Sequence, residues 1–398
     1  MSYLKKMRTA ILIVATLVIF ANVIDAKADD REIDLGGFIK VNAALTTKGV
    51  NGIDDASGVY NADLLFAQDN KGSRFGFNAK ETRLFAGITQ KNTPVGAIKG
   101  YVEGNFGVES NADGNTVEAY GTSNARFVLR HAYVEVGNDQ SGRLLVGQAY
   151  STFMDLKGAM DVLDYAGSAA VVFARQPQIR YTLVRGDTKL MIAAENATSN
   201  LGYNLVTDDQ RLPDFVARVD YDPTWGHFSV AAILREIRID NNEFDARKIT
   251  GGVAVTASKK IIGDRFEITG QYIRGAIGHY GAFSAFSDGV IMTDEQGASY
   301  IEPTEIQGMS IAATIVWSEK LNSIVMASYA ANTNKGANVM TLGTGHAIEN
   351  VKSLHANLNY NITDDLKVGF EYKKLIGNLS DNTKPNVDRY QGSMIYHF

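Results

Sequence analysis

The chain has 398 residues, with 38 Gly, 18 Tyr and 18 Phe but only six Pro, and a formal charge of −5. It contains no cysteine, which excludes disulfides, thiolate metal sites and cysteine nucleophiles together. Glycine for tight turns and aromatics for pleated surfaces, with so little proline, suit many strands better than a helical domain.

At the front of the chain, Lys5, Lys6 and Arg8 precede an apolar run from Ala10 to Ile24, and Ala26-Lys27-Ala28 supplies small residues at a cleavage spacing. Residues 1 to 28 therefore read as a secretory signal peptide. Roughly 15 apolar residues fall short of the ~20 that a helical span needs. Removing Lys5, Lys6, Arg8, Lys27 and Asp25 takes the formal charge from −5 to −8. No comparable apolar stretch follows, so residues 29 to 398, read as one domain, can cross a membrane only as strands.

Two-residue alternation begins early and recurs to the end. From Ala97 to Phe106, Ile98, Gly100, Val102, Gly104 and Phe106 take one parity and Ala97, Lys99, Tyr101, Glu103 and Asn105 the other. Phe266, Ile268 and Tyr272 oppose Arg265, Glu267, Thr269 and Gln271. Leu354, Leu358 and Tyr360 oppose Ser353, His355, Asn357 and Asn359, and Leu366, Val368, Phe370 and Tyr372 oppose Lys367, Gly369, Glu371 and Lys373. The chain closes on Tyr390, Met394, Tyr396 and Phe398 against Arg389, Gln391, Ser393 and His397. Such repetition predicts antiparallel sheet with one greasy face.

The connections carry a second rhythm. Long polar segments at 46–71, 109–124, 151–174, 198–212, 238–246, 280–303, 334–347 and 377–385 alternate with short turns such as Asn138 to Gly142, Asp222 to Gly226, Ile262 to Asp264 and Thr363 to Asp365. Eight long loops and seven short turns separate sixteen strands, an even number as a single-chain bacterial barrel requires. Trp225, Trp317, Tyr396 and Phe398 fall beside short turns, where an aromatic girdle is expected. A soluble two-sheet sandwich also alternates, but it would space its turns more evenly. The fold expected is an all-β, sixteen-stranded antiparallel transmembrane barrel with its third long loop folded inward.

Ser73-Arg74-Phe75-Gly76-Phe77, Phe127 to Val134 and Leu145-Val146-Gly147-Gln148 resemble early strands of the sixteen-stranded trimeric porins of Gram-negative bacteria. Phe153-Met154-Asp155 and the run from Val172 to Thr182 resemble the DcaP-like porins, which take up dicarboxylates. The likeness is densest from Gly72 to Thr182 and fades to barrel pattern beyond it. It implies an outer-membrane homotrimer passing small anionic solutes, with the third long loop inside the pore. Some members carry a helical segment ahead of the barrel. Too few residues separate Ala28 from Leu35 to hold one, so no coiled coil is expected.

Parity assigns the lumen independently, taking the face opposite the apolar one. Lys40, Arg74, Lys80, Lys99, Arg126, Arg130, Arg180, Lys189, Arg218, Arg235, Arg265, Lys367, Lys373 and Arg389 read as inward, against Glu103, Glu195, Asp220, Glu267 and Glu371. An acidic protein is thus expected to hold a positive channel, whose low-dielectric walls focus the field and favour anions. By position in the porin-like motifs, Arg74 and Arg130 are candidate constriction arginines and Arg180 follows on the strand after the inward loop. Guanidinium pairs bidentately with carboxylate. Their alternative role is structural, satisfying acids of that loop. Gln148 falls where related porins hold another base. The run from Ser151 to Ala174 is apolar at Phe153, Met154, Leu156, Met160, Val162 and Leu163, so it is expected to pack on the wall and set Asp155, Asp161 and Asp164 across from the arginines. The other reading of its apolar residues is an interface patch. Gly76, Ala79, Gly147 and Ala149 are expected to give the early strands a small-residue outer face for a neighbour.

Enzyme chemistry lacks a constellation. The six histidines, His131, His227, His279, His346, His355 and His397, show no metal-ligand spacing, and no cofactor is expected. His355 two residues from Ser353 is what alternation alone produces, so a barrel lipase is disfavoured. Basic runs interleaved with aromatics, as nucleic acid would require, are missing. Three function classes follow: a passive channel preferring small carboxylates, a general diffusion pore separated from it by ion selectivity, and a plugged structural or adhesive barrel that would not conduct.

Overall fold

The computed structural model describes residues 31–47, 72–108, 125–160, 162–164, 167–201, 206–207, 209–281, 286–333 and 348–398. The expected signal peptide, residues 1–28, lies outside them. The first half contains β1 (Arg31–Thr46), β2 (Arg74–Asn78), β3 (Arg83–Thr93), β4 (Gly96–Val108), β5 (Ala125–Asn138), β6 (Gly142–Tyr150), the one-turn helix α1 (Leu156–Ala159), β7 (Arg175–Arg185) and β8 (Thr188–Glu195). A small hairpin of β9 (Ser199–Asn200) and β10 (Val206–Thr207) follows, then β11 (Asp214–Tyr221), β12 (Gly226–Asp240), β13 (Asp245–Lys260), a 3-10 turn at Gly263–Arg265 and β14 (Phe266–Gly275). A second hairpin, β15 (Gly289–Thr293) with β16 (Ser299–Pro303), precedes β17 (Ile306–Val316), β18 (Leu321–Asn332), β19 (Ile348–Asn361), β20 (Leu366–Leu379) and β21 (Asn386–His397). Among the described residues no helix is long and apolar enough to cross a membrane.

Each long strand pairs antiparallel with the next, and β21 returns to β1 in a register running from Phe38 opposite His397 to Thr46 opposite Arg389. The 17-stranded sheet holds β2 and β3 at one place, as two pieces of a stave: β1 meets β2 from Asn42 to Thr46 and β3 from Arg31 to Phe38. The result is a closed barrel of sixteen staves. Closure leaves no unpaired edge, which a strand surrounded by hydrocarbon could not tolerate.

Alternation partitions the side chains as the sequence implies. On β19, Ser353, His355, Asn357 and Asn359 are buried while Leu354, Leu358 and Tyr360 are exposed. On β21, Arg389, Gln391 and Ser393 are buried while Tyr390, Met394 and Tyr396 are exposed. Phe75, Phe77, Ile192, Ile311 and Phe370 likewise point out. Apolar outside and polar inside is the reverse of a soluble sandwich and fits a lipid-facing wall. Trp225 and Trp317 are exposed beside the turns after β11 and β17.

Four expectations are corrected. The long loop at 238–246 is a tight turn, because β12 continues to Asp240 and β13 begins at Asp245; the Asn241 side chain accepts from the main-chain N–H of Glu243 and Phe244 at 2.9 and 2.8 Å. Arg265 lies exposed in the 3-10 turn rather than in the lumen. The small-residue outer face does not form: Gly76 shares the inward parity of Arg74 and Asn78, Gly147 that of buried Leu145, and Ala149 is itself buried, leaving only Ala79 outside. Gln148 takes the outward parity of exposed Leu144 and Val146.

Candidate functional site

The segment between β6 and β7 is held at many points by side chains from the buried parity of the staves. Glu195 on β8 accepts from Thr152 N at 2.6 Å, and Arg218 on β11 donates to Thr152 O at 3.2 Å and to Met154 O. Asp155 caps α1 through Lys157 N at 3.1 Å and meets His227 Nε2 on β12 at 2.8 Å. Burial presses the Asp155 carboxyl upward, yet its bond to His227, together with the charges of His227 and Arg218, holds it below its ordinary value. Farther along, Lys40 Nζ donates to Leu163 O at 2.7 Å, Glu371 accepts from Leu163 N at 2.6 Å, and Ser328 Oγ accepts from Ala169 N at 2.8 Å. Met160 and Val162 pack on Ala312, Ile324 and Met326. These contacts reach staves β1, β8, β11, β12, β17, β18 and β20.

The opposite wall, β3 to β8, is left facing a cavity of about 600 Å³ lined on the segment's side by Ser151, Met154 and Leu156. Its charged lining comprises Lys99, Arg143, Arg180, Lys189 and Arg218 against Asp34, Glu103 and Glu135. The cations also outnumber their partners locally. Glu103 accepts from Arg130 Nε at 2.7 Å with Arg83 Nε at 3.3 Å, and Tyr101 OH donates to its other oxygen at 2.9 Å. Asp220 serves Arg218 at 2.9 Å and Lys189 at 3.7 Å. Arg180 donates from Nη1 to Tyr150 O at 3.4 Å, and among the described residues no carboxylate lies within ion-pair distance of it. Lys99 lies 5.2 Å from the Tyr101 ring centroid, also without an ion pair among them. Glu103 and Asp220 thus face four bases, Arg143 faces Glu135 at 3.7 Å, and Lys99 and Arg180 make no ion pair among the described residues, so the wall is net positive even with Asp34 counted.

The architecture is a closed sixteen-stave barrel with one basic wall, and the porin subfamily profile matches residues 33–391. The chain belongs to the porin subfamily. The outer membrane channel DcaP of Acinetobacter baumannii aligns with this porin at a TM-score of 0.76 and 22% identity, over 94% of this chain and 99% of that one. OmpT of Vibrio cholerae, folded in vitro and solved in trimer form, gives a TM-score of 0.57 at 11% identity over 93% and 100%, and Salmonella typhi OmpF in complex with daunomycin 0.57 at 13% over 94% and 99%. No curated protein sequence matches. At these identities the structures share the fold, and the family makes the porin a non-enzymatic diffusion channel of the outer membrane.

Of the residues singled out from sequence, the porin brings Lys99 and Arg180 to the cavity wall and Asp155 to its edge, between the lining residues Met154 and Leu156. Arg130 is almost fully buried and committed to Glu103 and, at 2.8 Å, to Tyr150 OH. It reaches inward through a bulge: Glu103 pairs with His131 and Gly104 with Leu129, so Arg130 is the extra residue and both Arg130 and His131 are buried. Gln148, placed in the pore from sequence, instead donates to Leu129 O and Arg130 O at 3.2 and 3.1 Å, capping that bulge from outside. Arg74 stands opposite Thr46, and Lys80 is buried between β2 and β3; neither lines the cavity. Asp164 does not face the candidate arginines, because it pairs with Lys373 at 3.0 Å and lies 3.7 Å from Arg389. Arg126 belongs to β5, but its side chain and the whole of Asp161 lie outside the described residues. Arg218 and Lys189, inward by parity, deserved a place in the site that sequence reasoning did not give them. His355 Nδ1 meets Glu371 Oε1 at 2.9 Å, while Ser353 Oγ bonds Ser328 Oγ at 2.6 Å.

A second polar network ties the connection after β14 to the wall. Arg235 on β12 pairs with Asp288, stands 3.6 Å from Asp214, and donates to Thr198 O at 2.6 Å. His279 Nδ1 lies 3.0 Å from Asp288 Oδ2, and Tyr280 OH donates to Asp214 at 2.8 Å. Burial raises the Asp288 carboxyl, but the Arg235 and His279 charges together with the hydrogen bonds from His279 and Asn200 N outweigh it and keep the group well below the usual carboxylate range.

Proposed function

We propose that this porin is a passive, anion-preferring channel for small carboxylates, dicarboxylates among them, and that the described residues between β6 and β7 (151–160, 162–164 and 167–174) lie within the barrel and narrow it. The observation that carries the reading is the Arg180 guanidinium, which lines the cavity with a main-chain carbonyl as its hydrogen-bond acceptor and, among the described residues, no carboxylate within ion-pair distance. A carboxylate entering there gains a planar, permanently charged donor fork that no carboxylate among the described residues holds in an ion pair. Lys99 offers a second positive group in the same cavity, and about 600 Å³ accommodates a small two-ended acid. The loop reading is supported by its bonds to Lys40, Glu195, Arg218, Ser328 and Glu371, all from the wettable parity of the staves. Export by a cleaved signal peptide and assembly as a homotrimer complete the proposal; the trimer form of OmpT supports the latter.

Reversal potentials across planar bilayers under a salt gradient test it. Anion selectivity is expected, with inhibition of small-ion current by added dicarboxylate. Cation selectivity, or current indifferent to every carboxylate tried, overturns it.

A further inference from the structure

We infer that His227 is a positioning residue whose double protonation holds the start of the 151–174 segment against the barrel wall, so that conductance is quiet in acid and fluctuates as the pH rises. The imidazole is buried and both its nitrogens face carboxylates: Nε2 meets Asp155 Oδ2 at 2.8 Å and Nδ1 meets Asp222 Oδ1 at 2.5 Å. A neutral ring carries one N–H and can donate to only one of them, leaving a lone pair against the other anion. Only the imidazolium serves both. Asp222 sits half-exposed in the turn between β11 and β12, whereas Asp155 is buried at the head of α1. The ring therefore straps a loop residue to a turn residue through one proton.

The remaining groups around the strap do not replace that proton. Ser258 lies across from His227 on β13, and Arg218, the nearest other cation acting on Asp155, is already bonded to Asp220 and to the carbonyls of Thr152 and Met154. Met154 and Leu156, on either side of Asp155, line the cavity, so release of Asp155 is felt directly by the opening. The strap is complete where the imidazole is protonated and both carboxylates are ionised. It loses one of its two bonds when the ring gives up a proton.

The inference rests on the reading of the cavity as the conducting path. Single-channel recordings of the full chain between about pH 5 and pH 8, the span of ordinary histidine titration, test it. The wild type is expected to show steady openings at the acid end and several-fold more frequent sub-conductance transitions at the alkaline end. His227→Gln donates to one carboxylate at every pH, so its transitions are expected to be frequent and independent of pH. Asp222→Asn removes one of two anions holding the imidazolium, so the wild-type change is expected at lower pH; this variant also keeps the test open should His227→Gln fail to fold, as judged by heat-modifiable gel migration. A wild-type record that is flat with pH, or a His227→Gln record with the wild-type profile, overturns the inference while leaving the channel reading intact. Absence of conductance in every variant would instead strike the channel reading.

Discussion

Lys373 on β20 and Asp164 in the connection between β6 and β7, 209 residues apart, meet Nζ to Oδ2 at 3.0 Å with each side chain 2% exposed. Arg389 on β21 stands 3.7 Å from the same carboxylate. One acid thus holds two buried cations in place. The same pairing removes Lys373 and Arg389 from the pool of charges available to a passing solute.

Asp164→Ala therefore strands two positive groups. Removing one partner of a buried pair costs about 3–5 kcal/mol. The 162–164 stretch is expected to detach from β20 and β21, raising single-channel conductance and lowering the temperature at which the barrel unfolds on a gel. Unchanged conductance and unfolding temperature would show that Asp164 carries no such load.

Selectivity should depend on pairing rather than on being basic. Arg180→Ala removes a cavity guanidinium that, among the described residues, makes no ion pair, so the reversal potential is expected to shift markedly toward zero, and further with Lys99→Ala. Arg130→Ala leaves Glu103 with Arg83 and Tyr101, so its main effect is expected on stability, again about 3–5 kcal/mol for a broken buried pair. Equal selectivity losses in the Arg180 and Arg130 variants would contradict this ordering.

Docking of the connection after β14 should resist acid. Asp288 has its carboxyl depressed in the folded state, so its contribution is present above the ordinary aspartate value of about 3.9 and is lost only as pH falls through the lower folded value. Amide exchange over residues 276–281 and 286–305 is expected to stay slow down to about pH 4 in the wild type. Asp288→Asn is expected to accelerate it at every pH, and slow exchange in that variant would count against the network.

Gln148→Leu tests the bulge. Losing both amide donations leaves the Leu129 and Arg130 carbonyls unsatisfied at a cost of about 1–3 kcal/mol. A lower unfolding temperature with unaltered ion selectivity is the expected result; altered selectivity would return Gln148 to the lumen.

Stave parity was legible because burial of one face repeats every second residue, as on β19 and β21, and because turn chemistry marks the short connections. Parity failed where the backbone departs from it. The bulge at Arg130 adds a residue that no pattern of hydrophobicity announces, and it brings in His131 while Gln148 stays outside. The inward bases were visible as a set, but which of them remain uncommitted was not. That depends on contacts between residues distant in sequence, such as Glu103 with Arg130 or Asp164 with Lys373, and alternation carries no information about them.

The second stave leaves its ladder between Asn78 and Arg83, and Ile39, Lys40 and Val41 of β1 fall outside both of its registers. Across the notch, Lys40 N donates to Thr82 Oγ1 at 3.2 Å and Lys40 Nζ meets Glu81 at 2.5 Å, while Phe106 N donates to Lys80 O at 3.1 Å from the far side. A tube squeezed by the surrounding bilayer yields where its hoop is thinnest. On the β1 side the hoop is completed by side chains instead of main-chain rungs, so flattening of the cylinder is expected to begin along this line.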